Sequence, residues 1–250
     1  MIAGEAALSN WDAGMDMYIY GKLGNLTMTK EGINVLMTNL TGKVPPILQR
    51  LDYIRFNGEA AGYLHDLTLT GLFHTGAGMV KTDVMMSIDE QSMSRTYSGS
   101  VASADLDLGK LLNQEKKFGK VDFNVELKGF NYKNRYPESY IKGIISSFEY
   151  SQYQYENIML DGVYKDGGFN GRLSMDDANG SVQIDGNFNV AKTIPDFNLK
   201  ASVKNLRPHD LHLSDKYENA SISLGLTADF TGKSIDDMNG RISLDSLQLN

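Results

Sequence analysis

The chain has 250 residues, which suits one large domain or two ordinary ones and allows a sizeable core. With 24 basic against 31 acidic residues the formal charge is −7, which argues against a general binder of nucleic acid or of anionic membrane. Apolar residues make up 41%, too many for a disordered chain, and the absence of cysteine removes disulfides, thiolate metal sites, iron–sulfur clusters and cysteine nucleophiles.

Met1 to Ser9 has neither the basic flank nor the apolar stretch of a signal peptide, so an exported parent protein is expected to carry its signal outside these residues. Apolar runs fall far short of the ~20 residues that span a bilayer. Val44 to Leu51, with Pro45-Pro46 near its first turn, reads as a short helix. Val80, Thr82, Val84, Met86 and Ile88 then alternate with Lys81, Asp83, Met85, Ser87 and Asp89. That period of two marks a half-buried strand. Leu106 to Asn113 reads as a second short helix, and Val121, Phe123, Val125 and Leu127 as the inward face of another strand. Between Phe148 and Leu160 the phase slips: Phe148 and Tyr150 share one parity, Tyr153 and Tyr155 the other. A bulge near Ser151–Gln152 accounts for the slip. The tyrosines read as strand filling, with a ligand-stacking platform as the functional alternative.

The second half is more regular. Phe169, Gly171, Leu173 and Met175 share one face, followed by Val182, Ile184, Phe188 and Val190. Phe197, Leu199, Ala201 and Val203 form the next set, then Ile222, Leu224, Leu226, Ala228 and Phe230, then Ile242 and Leu244. Asp166-Gly167-Gly168 and Asn179-Gly180 fit tight hairpins, where positive φ is needed. Strands with one wet face favour antiparallel pairing, so the expected fold is all-β with few short helices. No such strand stands alone, because ordering its backbone costs about 1–2 kcal/mol per residue. The apolar faces must therefore stack together.

The chain also echoes itself. Ser174 to Asp185 aligns with Ser234 to Asp245 around a shared Asp-Asp-x-Asn-Gly. Val101 to Leu127, with Asp105-Leu106-Asp107-Leu108 inside it, is echoed by Val203 to Ala228 with Asp210-Leu211-His212-Leu213. The offset is about a hundred residues, as in repeat architectures. The expectation is an internal piece of a longer repetitive β protein, with approximate sub-units 1–95, 96–168 and 169–250.

Chemistry is sparse. His209-x-x-His212 lacks an obvious third metal ligand, and the Asp-Asp-x-Asn-Gly stretches lack the spacing and closing glutamate of an EF-hand. Asp105 and Asp107 share a strand parity, as many solvated pairs do, and no Gly-x-Ser-x-Gly elbow is present. Gly76-Ala77-Gly78 lacks the rest of a dinucleotide fingerprint. Lys110, Lys116, Lys117 and Lys120 lie beside Glu115 and Asp122, the pattern of a solvated turn. The reading is a non-enzyme with no cofactor, no metal and no nucleic-acid partner.

Phe230 to Asp245, Asp161-Gly162-Val163-Tyr164, Gly186-Asn187-Phe188, and Val101 to Leu112 with its Leu-Asp-Leu-Gly resemble the TamB branch of the AsmA-like envelope proteins. The similarity covers roughly residues 95–250. It implies a long curled sheet with an apolar groove, in a periplasmic bridge anchored at the inner membrane. It further implies a role in moving phospholipid to the outer membrane, or in assembling outer-membrane and secreted proteins. The implied partners are lipid acyl chains or unfolded outer-membrane strands, and an outer-membrane barrel. The residues expected to line the groove are Val182, Ile184 and Phe188, then Phe197, Leu199 and Val203, then Ile222, Leu224 and Leu226, then Ile242 and Leu244. The same alternation also serves a closed sandwich. The alternative function is a surface carbohydrate-binding or adhesin-type module using Tyr150, Tyr153 and Tyr155.

Overall fold

The computed structural model describes residues 4–10, 12–89, 91–92, 94–131, 138–189, 192–216, 218–233 and 237–250. Val190, and Ser234 to Asp236 of the internal echo, lie outside the described residues. The chain is all-β. Among the described residues, fourteen strands follow one another in sequence order in one antiparallel sheet. It divides into two compact units, Met1–Leu127 and Lys128–Asn250.

The first unit holds β1 (Gly4–Ser9), β2 (Tyr18–Thr29), β3 (Tyr53–Tyr63), β4 (Asp66–Thr75), β5 (Gly78–Asp89), β6 (Ser94–Asp107) and the start of β7 (Phe118–Asn131). Its register sets Phe56 beside Phe73 and Val80, and Ala60 beside Leu69 and Val84. Paired residues of antiparallel strands point to one side, so these form apolar rows on one face. The other face carries charges, with Glu5, Lys22 and Glu59 side by side.

Two helices lie at one end of this unit. The α1 helix (Lys30–Thr41) starts where the Thr29 hydroxyl accepts the Gly32 amide and ends at Gly42. It was not expected from sequence, because Gly32 and the β-branched Ile33 and Val35 are weak helix formers. Packing supplies what propensity lacks. Ile33, Leu51, Ile54 and Phe56 are buried where α1 lies against β2 and β3. The helix expected over Val44–Leu51 is corrected to a single 3-10 turn at Leu48–Arg50. Two successive prolines have no amide to donate, and only Leu48 and Gln49 close back onto the Pro45 carbonyl. The α2 helix (Leu108–Leu112) falls inside the expected Leu106–Asn113. Asp107 caps it by accepting the Lys110 amide at 2.8 Å. Asp107→Ala is expected to cost about 1 kcal/mol, read as a lowered urea midpoint at unchanged slope. Lys110 Nζ ties the end together, donating to Asp52 Oδ2 at 2.9 Å and to the Gly76 carbonyl at 3.2 Å. The Lys110 hydrogen bond holds the Asp52 carboxyl below its ordinary range.

The second unit holds β8 (Glu138–Tyr150), β9 (Tyr153–Lys165), β10 (Gly168–Asp177), β11 (Gly180–Asn189), β12 (Asp196–Leu206), β13 (Ile222–Thr231) and β14 (Asn239–Leu249). The expected bulge at Ser151–Gln152 is corrected to the two-residue turn joining β8 to β9. Both residues have positive φ, 51° and 66°, the signature of a type I′ hairpin. Asn157 has a left-handed φ of 52°, and the register is the same on both sides of it, from Ser147–Glu156 to Ile145–Ile158. Asp166-Gly167 forms the next tight turn, with positive φ at both residues.

A local geometry recurs in both units along the hundred-residue echo. Near the ends of β6 and β12, Asp105 and Asn205 adopt left-handed φ of 52° and 48°. The amide of each is held by a side chain of the following strand, Asp122 in the first case and Ser223 in the second. Two residues on, the amides of Asp107 and Arg207 donate to the turn carbonyls of Ala77 and Asn179. The chain then leaves the sheet, and Leu111 and Leu211 are buried. Asp105 and Asp107 therefore do not act as a carboxylate pair: Asp105 bonds Lys120 at 2.9 Å, while Asp107 caps a helix.

Candidate apolar binding face

In the second unit the pairings align four rows of side chains on one face. The first runs Tyr164, Phe169, Phe188, Phe197, Phe230 across β9 to β13. The second runs Ile141, Gly162, Gly171, Gly186, Leu199, Ala228, Ile242. The third is Gly143, Leu160, Leu173, Ile184, Ala201, Leu226, Leu244, and the fourth Ile145, Ile158, Met175, Val182, Val203, Leu224, Leu247. Strands lie ~4.8 Å apart and same-face residues ~6.7 Å apart, so the rows cover roughly 29 Å by 20 Å. Every residue named from sequence as groove-lining stands on this face; Ile222 continues it beyond Leu224, opposite Leu206 and Leu249.

The face is largely half-buried. Among the described residues of this unit, only Tyr155, Leu211 and Ala228 are fully buried apolar side chains. A packed sandwich interior would bury the inner-face residues of every strand. Ile242 and Leu244 are 46% and 58% exposed because β14 has a neighbour on one side only. Glycines at Gly162 and Gly171 would leave a gap, but the Phe169 ring lies across it, 2.5 Å from where a Gly162 Cβ would stand. Phe197 and Phe230 stack at 4.7 Å between ring centres.

Sequence reasoning left out Phe169, Leu173, Met175, Ala228 and Phe230 as site residues, although it placed them on inward faces. It missed Leu247 altogether. The β13–β14 register shifts between Leu244 and Leu247, which returns Leu247 to the apolar face. The spacing of three between two leucines was the visible signal, since strict alternation forbids it.

The opposite face keeps the register. Lys142, Asp161, Arg172, Asp185 and Lys200 stand side by side with alternating charge. Lys142 meets Asp161 at 3.4 Å and Arg172 meets Asp185 at 2.8 Å. The Tyr140 hydroxyl, then Lys142, holds Asp161 below its ordinary range; Gln183, then Arg172, does the same for Asp185. Exposed pairs of this kind add little stability, but a one-residue slip would set these charges opposite residues of the apolar rows.

The connection after β12 packs on the tyrosines of the β8–β9 hairpin. Tyr150 stands opposite Tyr153, and Phe148 opposite Tyr155. The Tyr155 hydroxyl donates to the Leu211 carbonyl at 2.7 Å, and His212 Nδ1 donates to the Ser151 carbonyl at 3.0 Å. The Tyr153 hydroxyl donates to Asp177 and accepts from Asn179 Nδ2. These tyrosines are engaged in packing: Tyr155 is 8% exposed, and Tyr150 and Tyr153 are half-buried. Burial, then the Asp177 hydrogen bond, pushes the Tyr153 phenol up to about 12. An unfolded tyrosine ionises near 10, so the contribution of neutral Tyr153 to stability is full below pH 10 and is lost as pH rises toward 12. The wild-type minus Tyr153→Phe absorbance difference at 295 nm is expected to rise near pH 12; a rise near pH 10 would refute the contact.

The remaining candidates disperse. Among the described residues no three His, Asp or Glu side chains are arranged to hold a metal ion. His209 faces Asp210 at 3.6 Å, apart from the bond that His212 makes. Asp177 braces the turn at Asn179, and Asp237 receives the Lys233 amide. Lys110 and Lys120 pair with Asp52 and Asp105, and Gly76-Ala77 is the β4–β5 turn. No helix among the described residues is long and apolar enough to cross a membrane. No family model, curated protein or solved structure matches this chain.

Proposed function

We propose that the apolar face of the second unit holds lipid acyl chains, as a non-catalytic part of a periplasmic bridge resembling the TamB branch of the AsmA-like proteins. The observation that carries this reading is the continuity of the rows, three of them through β8 to β14 and the aromatic one through β9 to β13, with most side chains left half-buried. Such a surface repays cover at ~0.8 kcal/mol per methylene withdrawn from water. The resemblance supplies the wider role: phospholipid transport toward the outer membrane or assembly of outer-membrane proteins, an inner-membrane anchor and a barrel partner.

The test is native mass spectrometry after incubation with phosphatidylglycerol and phosphatidylethanolamine vesicles. The wild-type chain is expected to retain lipid. Leu226→Asp, which sets a charge between Ala201 and Leu244, is expected to lose at least tenfold of it at unchanged circular dichroism. No retention by the wild type, or equal retention by the variant, would overturn the reading.

A further inference from the structure

We propose that the polar face of the second unit binds an uncharged, extended glycan chain laid across β10, β11 and β12. Asparagine is depleted from strands, because its side chain competes with the ladder for backbone hydrogen bonds. The register nevertheless sets three of them side by side, Asn170 opposite Asn187 and Asn187 opposite Asn198. All three are exposed, on the side of the sheet away from Phe169, Phe188 and Phe197. Among the described residues, none of these side-chain amides is hydrogen-bonded to another group of the chain.

Asn170 and Asn187 line a cleft of about 420 Å³, within the range of small-ligand sites. Lys165, Asn189, Lys192 and Asp196 line it further along the strands. Asn189 is buried and fixed: its Nδ2 donates to the Asp166 carbonyl at 2.9 Å, and its Oδ1 accepts the Lys192 amide at 3.2 Å. Each lysine of the lining is answered by a carboxylate, Lys165 by Glu138 at 2.7 Å and Lys192 by Asp196 at 3.0 Å. The lining therefore offers no spare cation to an anionic ligand. It offers donors and acceptors instead, since each carboxamide supplies two N–H donors and a carbonyl oxygen. Asp196 Oδ1 is shielded from water, and the Lys192 ammonium beside it lies outside hydrogen-bond geometry, so this acceptor also is open to a donor. Sugar hydroxyls both donate and accept. Neighbouring strands stand ~4.8 Å apart, close to the advance of one ring in a straight, cellulose-type chain, so successive sugars meet successive asparagines.

Titration of the isotope-labelled full chain with cellotetraose, followed by NMR, is expected to shift the side-chain amide signals of Asn170, Asn187 and Asn198. Asn187→Ala is expected to weaken binding at least tenfold. Asn57→Ala is the control: Asn57 is also exposed in mid-strand, but Leu72 stands opposite it, and binding should be unchanged. Far-UV circular dichroism of both variants should match wild type. Maltotetraose, whose linkages curve the chain away from a straight row, is expected to bind at least tenfold more weakly than cellotetraose. The cleft and the apolar rows lie on opposite faces, so glycan binding and lipid retention stand or fall separately. No shift with cellotetraose, shifts confined to other residues, undiminished binding by Asn187→Ala, or equal binding of maltotetraose would overturn the proposal.

Discussion

Replacing Gly186 with alanine is expected to destabilise the second unit by about 3 kcal/mol or more. Gly186 sits mid-strand in β11 at φ 143°, in a region that side chains of L configuration rarely enter. Holding a non-glycine residue there costs about 1–3 kcal/mol. Space adds a second cost. A Cβ on Gly186 would stand 2.3 Å from the Asn198 carbonyl oxygen and 2.6 Å from the Leu199 Cα, both backbone atoms of the paired strand β12. Backbone cannot rotate aside, so β11 and β12 must part where the apolar rows cross them. Gly225→Ala is the control. Its φ is not positive, and the nearest atom to its Cβ would be the Ser246 hydroxyl oxygen at 3.2 Å, the end of a movable side chain. Urea unfolding followed by circular dichroism should show a large midpoint loss for Gly186→Ala and under about 1 kcal/mol for Gly225→Ala. Equal losses would show that the β12 backbone does not crowd Gly186.

Leu211→Ala is expected to cost about 3 kcal/mol. Leu211 is 0% exposed, although it lies in a connection rather than a strand. Leucine-to-alanine changes at such sites cost about 2–5 kcal/mol, combining lost burial with the cavity left behind. The backbone of the loop is pinned by the Tyr155 hydroxyl on the Leu211 carbonyl and by the Leu211 amide on the Arg207 carbonyl at 3.1 Å. The segment therefore cannot easily collapse into the gap. Leu213, two residues on and 54% exposed, should tolerate alanine within about 0.5 kcal/mol. If the two substitutions cost the same, the connection is not packed against the tyrosines through Leu211.

Much of the fold was legible because the side-chain period of a strand is two and depends on nothing distant. Phe197, Leu199, Ala201 and Val203 alternate with polar residues whatever lies beside them, and the structure places them together on one face. The lapses fall where local signals compete with packing or with a turn. α1 is built from weak helix formers and exists because Ile33 is buried against the sheet. The phase slip at Ser151–Gln152 looked like a bulge because a tight turn and a bulge change parity alike, and only pairing partners tell them apart. Asp105 and Asp107 looked like a facing pair until the left-handed backbone at Asp105 ended the alternation.

The amino-acid order alone determined that this protein is built of one-sided antiparallel strands, since alternation of apolar and polar residues is a local property. It also determined which side chains belong to the apolar side. Register decided the rest. Only the pairing of each strand with its neighbours aligned Phe169, Phe188, Phe197 and Phe230 into one row, moved Leu247 across a bulge onto the shared face, and left Leu244 at an open edge. Those outcomes depend on hydrogen bonds between residues far apart in the chain, which no short window of sequence contains.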